Sequence, residues 1–234
     1  MRSSFIFMNC DSSTPHSHRR IRAQTVEITR PSDTHVPRHP RPGGVGRDRR
    51  GRRPAQLLEM GPSGSSADHD ANPSSLHDVF FRVGGAAVGK ATTSLTINSD
   101  DVTMYGLFVE HYQKHQTIWN GNGGRTYFYQ NEMPYDPPNQ AAWMNGSTQG
   151  YAAYKVANSV TSHQVYGFGS YCYFHVNPGV TAEHAIEVPN NANVRFRSMV
   201  TVSLGGTGTI RHVINDRDGP SNSATNVANL VSHP

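Results

Sequence analysis

One pattern is written twice between Ile97 and Glu132. Ile97 recurs as Trp119, Asn98 as Asn120, Tyr105 as Tyr127, Leu107 as Tyr129 and Glu110 as Glu132, each pair 22 residues apart. A period in the low twenties is that of a solenoid coil, in which one turn of chain lies directly on the next. Neighbouring strands lie about 4.8 Å apart, so a one-coil offset stacks Glu110 and Glu132 on adjacent rungs with their side chains on one face. Two carboxylates placed in this way point to an acid/base pair.

The rest of the chain sorts around that repeat. Residues 1 to 75 carry 12 Arg, no Lys and 7 acids, whereas residues 76 to 234 carry 9 basic residues against 10 acids. The basic isoelectric point therefore belongs to the first third. Its stretch from Arg19 to Asp70 is Arg, Pro, His, Gly and Ser without sustained periodicity, which predicts a disordered basic segment over residues 1–75. The run Arg47 to Arg53 (RDRRGRR) is the one patch with phosphate-binding character. It lacks stacking aromatics, and the remainder of the chain is near neutral, so no nucleic-acid partner is expected.

From Leu76 onward, short runs rich in Val, Thr, Tyr and Phe alternate with Gly, Asn and Asp corners, and no amphipathic helix is legible. These features predict an all-β chain, a single parallel β-helix over residues 76–234, with a β-sandwich as the runner-up. Only Cys10 and Cys172 are present, so no disulfide framework can be read. The N-terminus shows no apolar core of signal-peptide length, and no run reaches the roughly 18 apolar residues of a membrane span.

Other chemistries have weak support. His111 and His115 with Glu110 lack the helix that aligns zinc ligands, and Asp100 and Asp101 are typical of turns that bond their own backbone, so no metal is expected. There is no GxSxG elbow, GxGxxG loop or P-loop, and no organic cofactor is expected.

Read together, VEH (109–111), WNGNGGRTYFYQNEMPYDPPNQAAW (119–143), GYAAYKV (150–156), GFGSYCYF (167–174) and TIRHVIND (209–216) resemble the C-terminal β-helix of glycoside hydrolase family 55, the exo-β-1,3-glucanases or laminarinases. The resemblance implies a right-handed, single-stranded, pectate-lyase-like β-helix, here truncated, and a β-glucan partner. It further implies inverting hydrolysis, an extracellular setting and a cleft completed by another β-helix domain. It makes Glu132 the general acid and Glu110 a second essential carboxylate, which acts as base or positions water. The aromatic surroundings of Glu132 are expected to raise its pKa. Tyr129, Tyr135, Trp143, Tyr166 and Tyr173 are candidate sugar platforms, and Gln130 and His111 candidate partners for sugar hydroxyls. The phrase Asn98 to Val102 runs from one coil-end motif straight into another, as if coils had been lost there. Weak or absent hydrolysis by this chain alone is therefore expected, the alternative being a non-catalytic glycan-binding or structural β-helix.

Overall fold

The computed structural model describes residues 56–64, 69–83 and 91–234, together with the backbone of three short strands, β1 (Arg2–Phe5), β2 (Arg20–Arg22) and β3 (Val26–Thr29). The other strands are β4 (Gln56–Met60), β5 (Ser74–Arg82), β6 (Thr93–Ile97), β7 (Val102–Glu110), β8 (Thr117–Trp119), β9 (Gly124–Glu132), β10 (Met144–Asn145), β11 (Thr148–Gln149), β12 (Tyr154–Val156), β13 (His163–Cys172), β14 (Thr181–Glu187), β15 (Val194–Ser203), β16 (Thr209–Ile214) and β17 (Val227–His233). They form one sheet ordered β16-β14-β12-β8-β6-β4 and another ordered β17-β15-β13-β9-β7-β5-β2. Each coil gives one strand to each sheet, and the pairing is parallel except for β17, which closes the second sheet antiparallel to β15. This is a parallel β-helix, and the sandwich is set aside.

Register explains why the echo appears only once. Ile97 pairs with Trp119, and Glu110 with Glu132, at the spacing of the repeat itself. Gly124 pairs with His163, however, after an insertion that contains the β10–β11 hairpin, and Ser74 pairs with Val102 across a longer coil. Only one coil is minimal.

The interior is built from rows of like side chains, one per rung. Val79, Leu107, Tyr129, Phe168 and Met199 form one such buried row across β5, β7, β9, β13 and β15. Just before that row, Asp78, Gly106, Phe128, Gly167 and Ser198 all adopt positive φ, so each strand bends at the same level. The bend returns the preceding residues to the outer face. His77, Tyr105, Tyr127 and Tyr166 stack there, with ring centroids 4.8, 5.2 and 5.4 Å apart in succession.

The corners are held by an amide ladder. Asn120 Nδ2 donates to Asn98 Oδ1 at 2.7 Å, and Asn98 Nδ2 donates to Glu59 Oε1 at 2.7 Å and to the Gly61 carbonyl at 3.0 Å. Asn98 is buried, so Asn98→Ala would remove its ties to Glu59 and Gly61 on the preceding rung together with its bond to the exposed Asn120. A loss of about 1–3 kcal/mol in urea unfolding is expected. Glu59 and Gly61 lie before Leu76, where ordered structure was expected to begin, because β4 supplies the first rung of its sheet. Arg47–Arg53 and Cys10 fall outside the described residues. Cys172 is a buried free thiol, and burial pushes its pKa up to about 12. No helix among the described residues is long and apolar enough to cross a membrane.

Two strongly shifted groups, one half-buried and one buried, contribute to the response to acid. Hydrogen bonds from His184 and Lys155 hold Glu187 down at about 2, against an ordinary 4.5, and burial holds His163 down at about 3 against 6.5. In both cases the folded state binds fewer protons than the unfolded chain between the two values. Their stabilisation is present above pH 6.5 for His163 and 4.5 for Glu187, and is lost as pH falls toward 3 and 2. Glu187→Gln is expected to flatten the dependence of the urea midpoint on pH below 4.5, and also to change the slope near pH 6, because Glu187 helps to hold the His184 pKa up.

Candidate active site

Glu110 and Glu132 are the last residues of β7 and β9, directly paired, and both project from the outer face of the seven-stranded sheet. The third member of their row is Arg82, the last residue of β5, whose Nη1 lies 2.8 Å from Glu110 Oε2. The contact is an ion pair without good hydrogen-bond alignment, since that oxygen accepts no hydrogen bond. The coil from Arg82 to Glu110 is longer than the one that carries the echo, so the echo could not reveal Arg82.

The two carboxylates are not equivalent. Glu110 is the more buried, with a side chain 8% exposed against 22% for Glu132. Burial and then the charge of Glu132 raise the pKa of Glu110 against the pull of Arg82, His111 and a hydrogen bond from Gln130. Glu132 shifts the opposite way, because His111 and the Tyr135 hydroxyl hydrogen-bond its charged form more strongly than burial disfavours it. The expected upward shift of Glu132 is thus reversed in the free site. Tyr135 and His111 both meet Oε2 of Glu132, the ring at 3.1 Å, and Oε1 accepts no hydrogen bond among the described residues.

The other expected contacts divide sharply. Tyr135 stays at the site, with Tyr173 set edge-on against it at 5.3 Å and His175 stacked on Tyr173 at 5.4 Å. Gln130 stays too, bonded to Glu110, and its Oε1 is a buried acceptor without a partner. Tyr129 does not, because it is 1% exposed and its hydroxyl meets Thr117 Oγ1 inside the coil. Trp143 is likewise core, packed on Phe174 with its Nε1 donating to the Gln113 carbonyl at 2.8 Å. Tyr166 is exposed, but it pairs in register with Tyr127, whereas it is Tyr171 that pairs with Glu132. One face of its ring is covered by Tyr127, and its place in the row is away from the carboxylate pair. His111 is 1% exposed and cannot reach a ligand. Arg82, Tyr171 and His175 are the site residues that the motifs did not bring out.

Glu110, His111 and Glu132 each offer a ligand atom within 4.8 Å of the others, so the trio has the donors for a metal ion. Arg82 and Tyr135 already sit on those carboxylate oxygens, and a cation would have to displace a guanidinium. The same closeness limits the acid/base reading. An inverting pair flanks the sugar from opposite sides with about 6.5–9.5 Å between carboxyls. Here the two lie side by side on one sheet face with ligand atoms within 4.8 Å of each other, closer than that separation.

The fold is a parallel β-helix, and residues 43–99 and 95–132 match the LAM55 pectate lyase-like domain family. The chain is homologous to part of a glycoside hydrolase family 55 enzyme. It is 44% identical to an exo-β-1,3-glucanase of Streptomyces sp. SirexAA-E over 76% of this chain and 35% of that protein. It also superposes on sacteLam55A from the same organism with a TM-score of 0.66 and 43% identity, covering 77% of this chain and 39% of the other. A glutamate-to-alanine variant of sacteLam55A in complex with glucose matches equally well. The chain thus spans little more than a third of the relatives it matches. The two family matches overlap at residues 95–99, where one coil-end phrase runs into the next, and the coil there closes in regular register.

Proposed function

We propose that this chain carries the proton-donating half of a β-1,3-glucan hydrolase site, with Glu132 as general acid. The observation that supports this most directly is the free Oε1 of Glu132, solvent-facing while Oε2 is held by two donors. Protonated at Oε1, Glu132 passes that proton to the glycosidic oxygen, whose bond to the anomeric carbon breaks with the electron pair left on oxygen. Water adds to the anomeric carbon and releases its proton to solvent. Glu110 does not touch the sugar in this reading. It sits beside Glu132 as a buried carboxyl that holds its own proton readily and limits the negative charge of the row. Tyr135, Tyr173 and His175 form the aromatic wall against which a terminal glucose rests, and Gln130 is the polar group nearest the pair. The similarity to an exo-β-1,3-glucanase and to a glucose complex supports β-1,3-glucan as the substrate class, and with it an extracellular setting.

Slow, Glu132-dependent release of glucose from laminarin by the purified chain is the expected result. No release, together with no change in tyrosine fluorescence on adding laminarin, would overturn this reading in favour of a structural β-helix.

A further inference from the structure

His111 poses a proton-counting problem whose solution bears on Glu132. The residue follows β7 with a left-handed backbone, φ 70°, which aims the ring beneath the carboxylate row. Nδ1 lies 3.1 Å from the Val83 carbonyl oxygen, and Nε2 lies 3.1 Å from Glu132 Oε2. A neutral imidazole has one N–H and one lone pair, so one of these contacts would set lone pair against lone pair. The Val83 carbonyl never carries a proton, which places one on Nδ1. The contact between Nε2 and Oε2 then needs a proton of its own.

The charged groups facing the ring come from three adjacent strands. Arg82 comes from β5, Glu110 from β7 and Glu132 from β9, while Tyr135 covers the ring with centroids 4.3 Å apart and Tyr171 from β13 lies in register with Glu132. Arg82 supplies the one fixed positive charge beside the two carboxylates, and burial favours the neutral form of Glu110. We infer that His111 and Glu132 share one proton between Nε2 and Oε2, so that His111 is a positioning residue which holds the charge of Glu132 rather than a contact to sugar. The inference rests on the reading of Glu132 as the acid and gives that residue a dedicated partner. With Oε2 occupied by the shared proton, the proton to be transferred is a further one, taken up at Oε1.

Nitrogen-15 spectra of the histidine rings and carbon-13 spectra of the glutamate carboxyls, recorded on the full chain between pH 5 and 8, test this directly. In the unsubstituted protein His111 should show Nδ1 protonated and Nε2 protonated or strongly hydrogen-bonded throughout. In Glu132→Gln the ring should become neutral with its proton on Nδ1, because the amide can donate to Nε2. A neutral ring protonated on Nε2, or an Nδ1–H ring beside an ionised Glu132, overturns the inference. That result accompanied by Glu132-dependent hydrolysis removes the shared proton and keeps the glycosidase, whereas the shared-proton signature without hydrolysis does the reverse. In an active preparation His111→Gln should also move the alkaline limb of the laminarin pH profile upward, since the largest influence lowering the Glu132 pKa is gone.

Discussion

Glu132→Gln is expected to reduce glucose release from laminarin by about 10²–10⁴-fold, the contribution of a well-placed general acid. The substitution keeps the shape of the side chain and removes the group that carries a transferable proton; the amide nitrogen that faces His111 takes the place of Oε2, so the Tyr135 hydroxyl accepts there instead of donating. Folding should survive it, because Glu132 is half-buried on the outer face and contributes nothing to the interior rows. A change in urea midpoint worth more than about 1 kcal/mol would mean that the activity loss reports on structure. Glu110→Gln is the informative companion. If Glu110 only adjusts the charge around Glu132, its amide variant should retain a measurable rate with a displaced pH profile. Turnover untouched by Glu132→Gln would remove Glu132 from the mechanism.

The echo made this pair legible because stacking requires nothing but equal spacing, and the coil from Glu110 to Glu132 happens to be the minimal one. Arg82 was out of reach for the same reason, since a longer coil separates it from its rung partner. The inward position of Tyr129 follows from the strand period. Counting back from Glu132 with the two-residue period of a strand puts Gln130 outside and Asn131 and Tyr129 inside, as found. Tyr127, two positions before Tyr129, returns to the outside only because Phe128 takes a positive φ, and no pattern in the sequence announces that bend. The reversed shift at Glu132 was hidden for another reason. It depends on which atoms Tyr135 and His111 present to the carboxylate, and the list of aromatic neighbours carries no such information.

Trp119→Ala should cost about 3–5 kcal/mol, a large share of the stability of an ordinary domain. Trp119 is where the echo replaces Ile97 with a far larger side chain, and it is 0% exposed, with its ring 4.6 Å from His163 and 6.3 Å from Tyr154. Its Nε1 has no hydrogen-bond partner, so truncation removes packing alone and leaves a cavity. The coil makes space for the indole at Gly124, where an added Cβ would lie 2.4 Å from Nε1. Gly124→Ala should therefore be destabilising by itself, because the ring is wedged between rungs and cannot swing away. In the Trp119→Ala background that clash disappears and the new methyl partly fills the cavity. The two substitutions should combine to cost less than their sum by about 1 kcal/mol or more, the non-additivity expected of side chains in contact. Simple additivity in the urea midpoints would show that Trp119 does not lie against Gly124, and the register that stacks the minimal coil on its neighbour would have to be redrawn.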